Sequence, residues 1–334
     1  MSLRDRRLLL HTSPHLPPQL TTPKLMLEVF LAVAPVVVAS AWFFGIGALL
    51  VIGAATLGAV GTEWYFTRPR GSTLGDWSAV LTGVLIGLTL PSGLPLWMAF
   101  VGGVVAIGLG KIVWGGMGHN LFNPALVGRA FLQAAFPIQL TTWAPPGESF
   151  FSIRSELLAL PLMHAPVDGA TAATPLAMMK FENATPEVMD VFLGSTAGSL
   201  GETSALLLIL CGSWMAFRRL YDWRIPVAIF VSTFLFSGLF YLIAPADYPA
   251  PWLMLLSGGL LFGAFFMATD PVGSPLAPKG AWVFGIGIGV LVVLIRLWGG
   301  LPEGMMYAIL LMNAAAPLIE RSLQPRVFGR SAKA

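Results

Sequence analysis

The feature that most constrains this chain is a succession of apolar stretches, each about 20 residues long, divided by short polar or Pro/Gly-bearing breaks. A helix that closes its own backbone hydrogen bonds is the economical way for such a stretch to cross a bilayer. Charged residues make up only 10% of the 334 residues, against roughly 25% in soluble domains. So little charge cannot cover a water-facing surface, and lipid must be the main solvent. The expected fold is an all-α polytopic membrane protein with about ten transmembrane helices. They are expected near 24–44, 46–66, 77–90, 95–113 and 119–136, then 203–217, 225–243, 251–268, 281–298 and 302–320. The fifth contains Asn120, Asn123, Pro124 and Arg129, and reads as broken or partly re-entrant.

The basic residues test this threading. With the N-terminus placed inside, 15 of the 19 Lys and Arg fall in inside segments, as cytoplasmic loops require. Both termini are therefore expected in the cytoplasm, with an even number of spans. The division is a cytoplasmic segment 1–23, a five-helix half 24–136, an outside loop 137–202, a second half 203–320 and a tail 321–334. The loop carries seven acids and two bases, and loops of this length are usually functional or disordered. No short apolar core with a cleavage site marks a removable signal in 1–23. The small net charge of +3 shows no nucleic-acid character, and the lone Cys211 excludes a disulfide or a Cys-ligated cluster within the chain.

Five helices on each side of the loop imply halves of opposite orientation. The turns Leu90-Pro91-Ser92-Gly93-Leu94-Pro95 and Asp270-Pro271-Val272-Gly273-Ser274-Pro275 would then lie on opposite faces. Inverted repeats of this kind build transporters. The glycine groups at 102–103, 115–116, 257–259 and 285–289 are spaced for close helix packing.

Chemistry concentrates in a few places. The loop stretch Asp168-Gly169-Ala170-Thr171-Ala172-Ala173-Thr174-Pro175 is small and hydroxyl-rich, and reads either as a site of modification or as a plain turn before a short helix. Arg129 inside a helix is expensive enough to be a functional candidate. It suits a phosphate or another anion, or a salt bridge to an acid such as Glu63. Asn120 and Asn123 offer amide donors and acceptors to a ligand, or cap a broken helix. Asp270 suits a cation or the capping of the next turn. Glu63 and Asp270, with Glu28 and Glu202, are candidate ion-path carboxylates near helix ends where water can reach.

The loop stretch resembles the flavinylation motif of the RnfD/NqrB family of membrane subunits. Asp168, Thr171, Ala173 and Thr174 match, and Ala172 stands where the family usually has Gly. Also similar are Gly118-His119-Asn120-Leu121-Phe122-Asn123-Pro124-Ala125 with Gly128-Arg129-Ala130-Phe131, then Phe266-Met267-Ala268-Thr269-Asp270-Pro271-Val272, and Ser13-Pro14-His15. The length is nearer the RnfD branch. The resemblance implies covalent FMN on Thr174 through a phosphoester, installed by a flavin transferase, and extends to a noncovalent flavin such as riboflavin within the bundle, with Arg129, Asn120 and Asn123 as candidate flavin contacts. It implies a subunit of a ferredoxin:NAD-type complex in the bacterial inner membrane, coupled to Na+ or H+ movement and partnered by other Rnf complex subunits, one flavin-bearing. Other readings are an inverted-repeat solute or ion transporter without redox role, and a subunit of a quinone-linked sodium pump.

Overall fold

A computed structural model describes residues 21–68, 73–147, 150–151, 153–161, 172–182, 186–202, 204–245 and 247–323. These are helices, turns and loops, with no strand among them. The ten expected segments form α1 (Thr22–Phe44), α2 (Ile46–Thr67), α3 (Ser78–Leu88), α4 (Leu96–Ile107, continued by a π-turn Gly108–Ile112), α5 (Pro124–Ala135) and α6 (Ala205–Phe217). Then come α7 (Arg224–Ile243), α8 (Pro251–Leu256, then Leu260–Phe262 and a π-turn Gly263–Met267), α9 (Pro278–Trp298) and α10 (Met305–Ser322).

Four of these are long and apolar enough to cross a bilayer alone: α1, α2, α7 and α9. The others depart from expectation in informative ways. At 11 residues α3 rises only about 17 Å, and α6 at 13 about 20 Å. Ordered non-helical backbone completes the path. Leu200 N donates to Leu90 O at 3.1 Å and Gly201 N to Leu88 O at 2.7 Å, so the end of the long loop pairs with the end of α3. Irregular backbone at such depth is tolerated because it is buried in protein: Leu88, Leu90, Ser199 and Leu200 are all at 0% exposure. The fifth helix starts at Pro124 and not near 119, because Asn123 caps it and Pro124 supplies a preset first turn. The eighth is interrupted where Gly258 takes a φ of +68°.

Contacts between helix ends define two faces. On one, Gly45 alone turns α1 into α2, and loop residues cover that turn through Ile46 N to Phe150 O (2.9 Å) and Gly147 N to Phe43 O (3.0 Å). The α3–α4 turn lies on the same face, with Gly93 against Glu156. On the other, Arg218 at the end of α6 meets Glu28 near the start of α1 (3.0 Å), and Leu276 N at the start of α9 meets Glu320 at the end of α10 (3.0 Å). The helices therefore alternate in direction, and the acidic loop and most basic ends lie on opposite faces.

The two halves pack alike. α2 lies against α4 where Gly58 and Gly103 leave no room for a Cβ, since it would strike the Phe100 and Ala55 carbonyls. α7 lies against α9 in the same manner at Gly285 and Gly289, beside Ala228 and Ser232. The α3–α4 and α8–α9 turns face opposite ends, as inverted halves require. The other two glycine groups do not pack helices. Gly115 and Gly116 hold positive φ in a turn, and Ser257–Gly259 is the break in α8.

Candidate functional site

The loop face opens into a cavity of about 630 Å³, a size suited to a bound cofactor. Its wall includes Arg129 and Gln133 of α5, Trp143, Thr174, Phe181 and Tyr307 of α10. Thr174 arrives there through local chemistry. It is the N-cap of the single turn Pro175–Ala177, accepting from Ala177 N at 3.2 Å, and Pro175 sets the turn. Ala172 N donates to Trp143 O (3.0 Å), and Lys180 donates to Gly299 O and to Leu301 O at 3.2 Å. These ties hold segment 172–182 against α9 and α10. Thr174 is half-buried and lines the cavity. Ala173 is exposed, and Ala172 lies outside the left-handed region that would demand Gly. Asp168 and Thr171 lie outside the described residues.

Beneath the cavity sits a buried charge quartet. Arg129 pairs with Glu202 and Arg296 with Glu303, each at 3.5 Å. The salt bridge to Glu63 is thus replaced by one to Glu202, because Glu63 lies at the far end of α2. Arg296 also donates to Met254 O and to Ser257 O (3.0 Å), which are carbonyls freed by the break in α8. Glu303 accepts from Gly259 N at 2.9 Å across the same break. Burial, then the neighbouring Glu303, raises the Glu202 carboxyl above the ordinary range. Water does not reach Glu202 freely: its side chain is 8% exposed.

The opposite end is organised differently. Glu63 is fully buried and accepts from Lys111 Nζ at 2.8 Å on both oxygens, and from Thr73. Lys111 also donates to Ser78 Oγ (2.6 Å). Asn123 accepts from Ala125 N (3.0 Å) and Leu126 N (3.4 Å), and donates to Met267 O (3.1 Å), so it caps α5 and fastens it to α8. Asn120 donates to Phe122 O at 3.1 Å and lies beside Asp270. Asp270 caps the following turn by accepting from Val272 N (3.4 Å), while burial pushes its pKa up to about 6. These residues border, with Tyr221 and Phe265, a pocket of about 90 Å³, room for a few waters and less than a flavin ring system needs. Asn120 also lines a second cavity on this face, of about 610 Å³, with His119, Pro271 and Glu320.

Sequence reasoning placed Thr174 and Arg129 but not their union in one cavity. It missed Glu303 as a site residue, and it missed the Lys111 partner of Glu63. Glu303 had one signal, as the lone acid in the α9–α10 break. Nothing local tied it to α5.

A polytopic α-helical membrane protein with matched halves and a large, arginine-bearing cavity on its loop face is the class these features define. The sequence profile of the NQR2, RnfD, RnfE family matches residues 9–329, and the chain belongs to that family. It is 37% identical to the D subunit of the Na(+)-translocating ferredoxin:NAD(+) oxidoreductase complex of Acetobacterium woodii, over 98% of this chain and 97% of that one. It is 38% identical to the D subunit of the proton-translocating ferredoxin:NAD(+) oxidoreductase complex of Clostridium ljungdahlii, over 95% of each. It is 40% identical to the D subunit of the ion-translocating oxidoreductase complex of Stutzerimonas stutzeri, over 93% of each.

Proposed function

We propose that this chain is the D-type membrane subunit of an ion-translocating ferredoxin:NAD-type oxidoreductase complex, and that it carries FMN esterified to Thr174. The observation that carries the reading is Thr174 lining a cavity of about 630 Å³ beside a buried arginine. The donor set fits the group: the hydroxyl is the attachment point, Arg129 offers a fixed guanidinium to a phosphate or ring oxygen, and Trp143, Phe181 and Tyr307 offer faces for stacking. A bound flavin would supply one- and two-electron chemistry, while the protein supplies position and electrostatics. A separate flavin transferase installs it, since this chain needs only to present an accessible hydroxyl. The loop face is the outer one and both termini are cytoplasmic in the bacterial inner membrane. This rests on the basic residues at the opposite helix ends. Other subunits of the complex, one of them flavin-bearing, exchange electrons at the loop face. We assign no second flavin to the inner pocket. Asp270 and Glu63 border the inner end, where a coupling ion would enter; the relatives named for sodium and for protons are equally similar, so their names do not choose the ion.

The test uses the assembled complex in vesicles, with reduced ferredoxin and NAD as substrates. Thr174→Ala is expected to stop both NAD reduction and ion uptake while the complex still assembles. Wild-type rates in an assembled Thr174→Ala complex would refute the reading, and would favour a transporter role independent of redox chemistry.

A further inference from the structure

Below the Thr174 cavity lies a second, much smaller pocket of about 30 Å³. The two share Arg129, Trp143, Thr174, Pro302 and Glu303 as lining, so the smaller forms the floor of the larger. About 10–15 Å³ accommodates one water, so this floor holds one or two. Glu202 lines it, and its Oε1 faces Arg129 Nη1 at 3.5 Å yet accepts no hydrogen bond among the described residues, although the side chain is more than nine-tenths buried. The Ser199 hydroxyl beside it, at 0% exposure, is likewise without a hydrogen bond of good geometry. Buried carboxylate oxygens are seldom left so, because the cost is the full desolvation of the group.

The charges facing Glu202 are few. They are Arg129 from α5, Arg296 from α9 and Glu303 from the α9–α10 turn. With Glu202 ionised the quartet sums to zero. An anion placed in the cavity next to Arg129 would leave the group with a net negative charge and draw Arg129 away from Glu202.

We propose that Glu202 is a proton-binding site at the floor of the cavity, and that Arg129 links its protonation to the negative charge the cavity holds. The step is a simple uptake: hydronium from the loop face gives its proton to Glu202 Oε1 and leaves water in the pocket. The converse release follows when the cavity charge falls. The linkage rests on the proposed phosphoester at Thr174; the proton site itself does not. Burial, the largest influence, and Glu303 disfavour the ionised form, against Arg129, Ser199 and Arg296, which favour it.

The experiment is an infrared pH titration of the carboxylic acid C=O band in purified protein, on wild type and on Thr174→Ala, with Glu202→Gln made in each. The mass of every sample is recorded to report covalent flavin. A band titrating in Thr174→Ala and absent after Glu202→Gln is expected. In flavin-loaded wild type it should titrate about one pH unit higher, the effect of a unit charge roughly 10 Å away at an effective dielectric of about 20. Arg129→Gln should also move it upward, and this serves as the second variant should Glu202→Gln fold poorly. No Glu202-dependent band in Thr174→Ala protein overturns the proton site. A band at the same pH in loaded and unloaded protein overturns the linkage. Should mass show no flavin on wild type, the Thr174 reading fails by itself, and the proton site is judged on the Thr174→Ala titration.

Discussion

The two polar ends of this molecule differ in how their buried groups are satisfied. At the inner end, Glu63 has Lys111 and Thr73, Asn123 has three backbone partners, and Asp270 caps its own turn. The inner end borders one small pocket and, beside His119, Pro271 and Glu320, a cavity of about 610 Å³. The loop-face cavity is of similar size, but it lies over two Arg–Glu pairs at 3.5 Å, where the inner end has one Lys–Glu pair at 2.8 Å. Each end keeps one buried carboxylate oxygen without a hydrogen bond, on Asp270 and on Glu202. Polar side chains complete broken backbone at both ends, Asn123 and Asp270 at one and Arg296 and Glu303 at the other. What separates the ends is the second Arg–Glu pair, Arg129 with Glu202, which lines the loop-face cavity without bonding to backbone.

Perturbing the inner end should damage stability first. Lys111→Met would leave Glu63 buried with Thr73 but without its cation, at a cost of about 3–5 kcal/mol. The expected result is a large drop in midpoint temperature in detergent, with any folded fraction still flavinylated. Folded Lys111→Met protein that lacks flavin would blur the distinction between the ends.

Asp270 gives a pH signature. Its folded pKa of about 6 lies above the ordinary 3.8, so the protonated form is the stabilising one. That contribution is complete below pH ~4 and is lost as pH rises through about 6, a change of about 3 kcal/mol. Thermal unfolding of wild type should therefore weaken across this window relative to Asp270→Asn. Parallel profiles for the two proteins would show that Asp270 is not held in an apolar setting.

Asn123→Ala removes the α5 cap and its tie to Met267 O. A loss of about 1–2 kcal/mol is expected by thermal unfolding, with covalent flavin retained. The smallest effect concerns the loop. Ala172 donates to Trp143 O from an unstrained backbone, so Ala172→Gly should leave the flavin yield unchanged within about twofold. A severalfold rise in yield would mean that the extra methyl obstructs the transferase.

Much of the architecture was legible because a bilayer makes periodicity and length unusually informative. The apolar runs marked all ten segments, and the basic residues marked their alternation. What escaped was the short helices. Neither α3 nor α6 spans alone, and the 199–201 backbone that completes them forms its hydrogen bonds across more than a hundred residues. The sequence singled out Thr174 through its motif. The cavity around it left no such signal, since Tyr307 is brought beside Arg129 and Trp143 from the far half of the chain by packing alone. Asn123 was legible as a cap because Pro124 follows it. The Arg129–Glu202 pair was not, because an ion pair across the bundle leaves no local spacing.

The measurement that bears most directly on the contrast between the ends is peptide mass spectrometry of this protein expressed with an active flavin transferase. The account predicts one FMN phosphoester on the peptide holding Thr174, absent in Thr174→Ala and still present in Asn123→Ala. An unmodified Thr174 peptide, with the same transferase modifying a control target, would contradict it and leave the loop-face cavity without its proposed occupant.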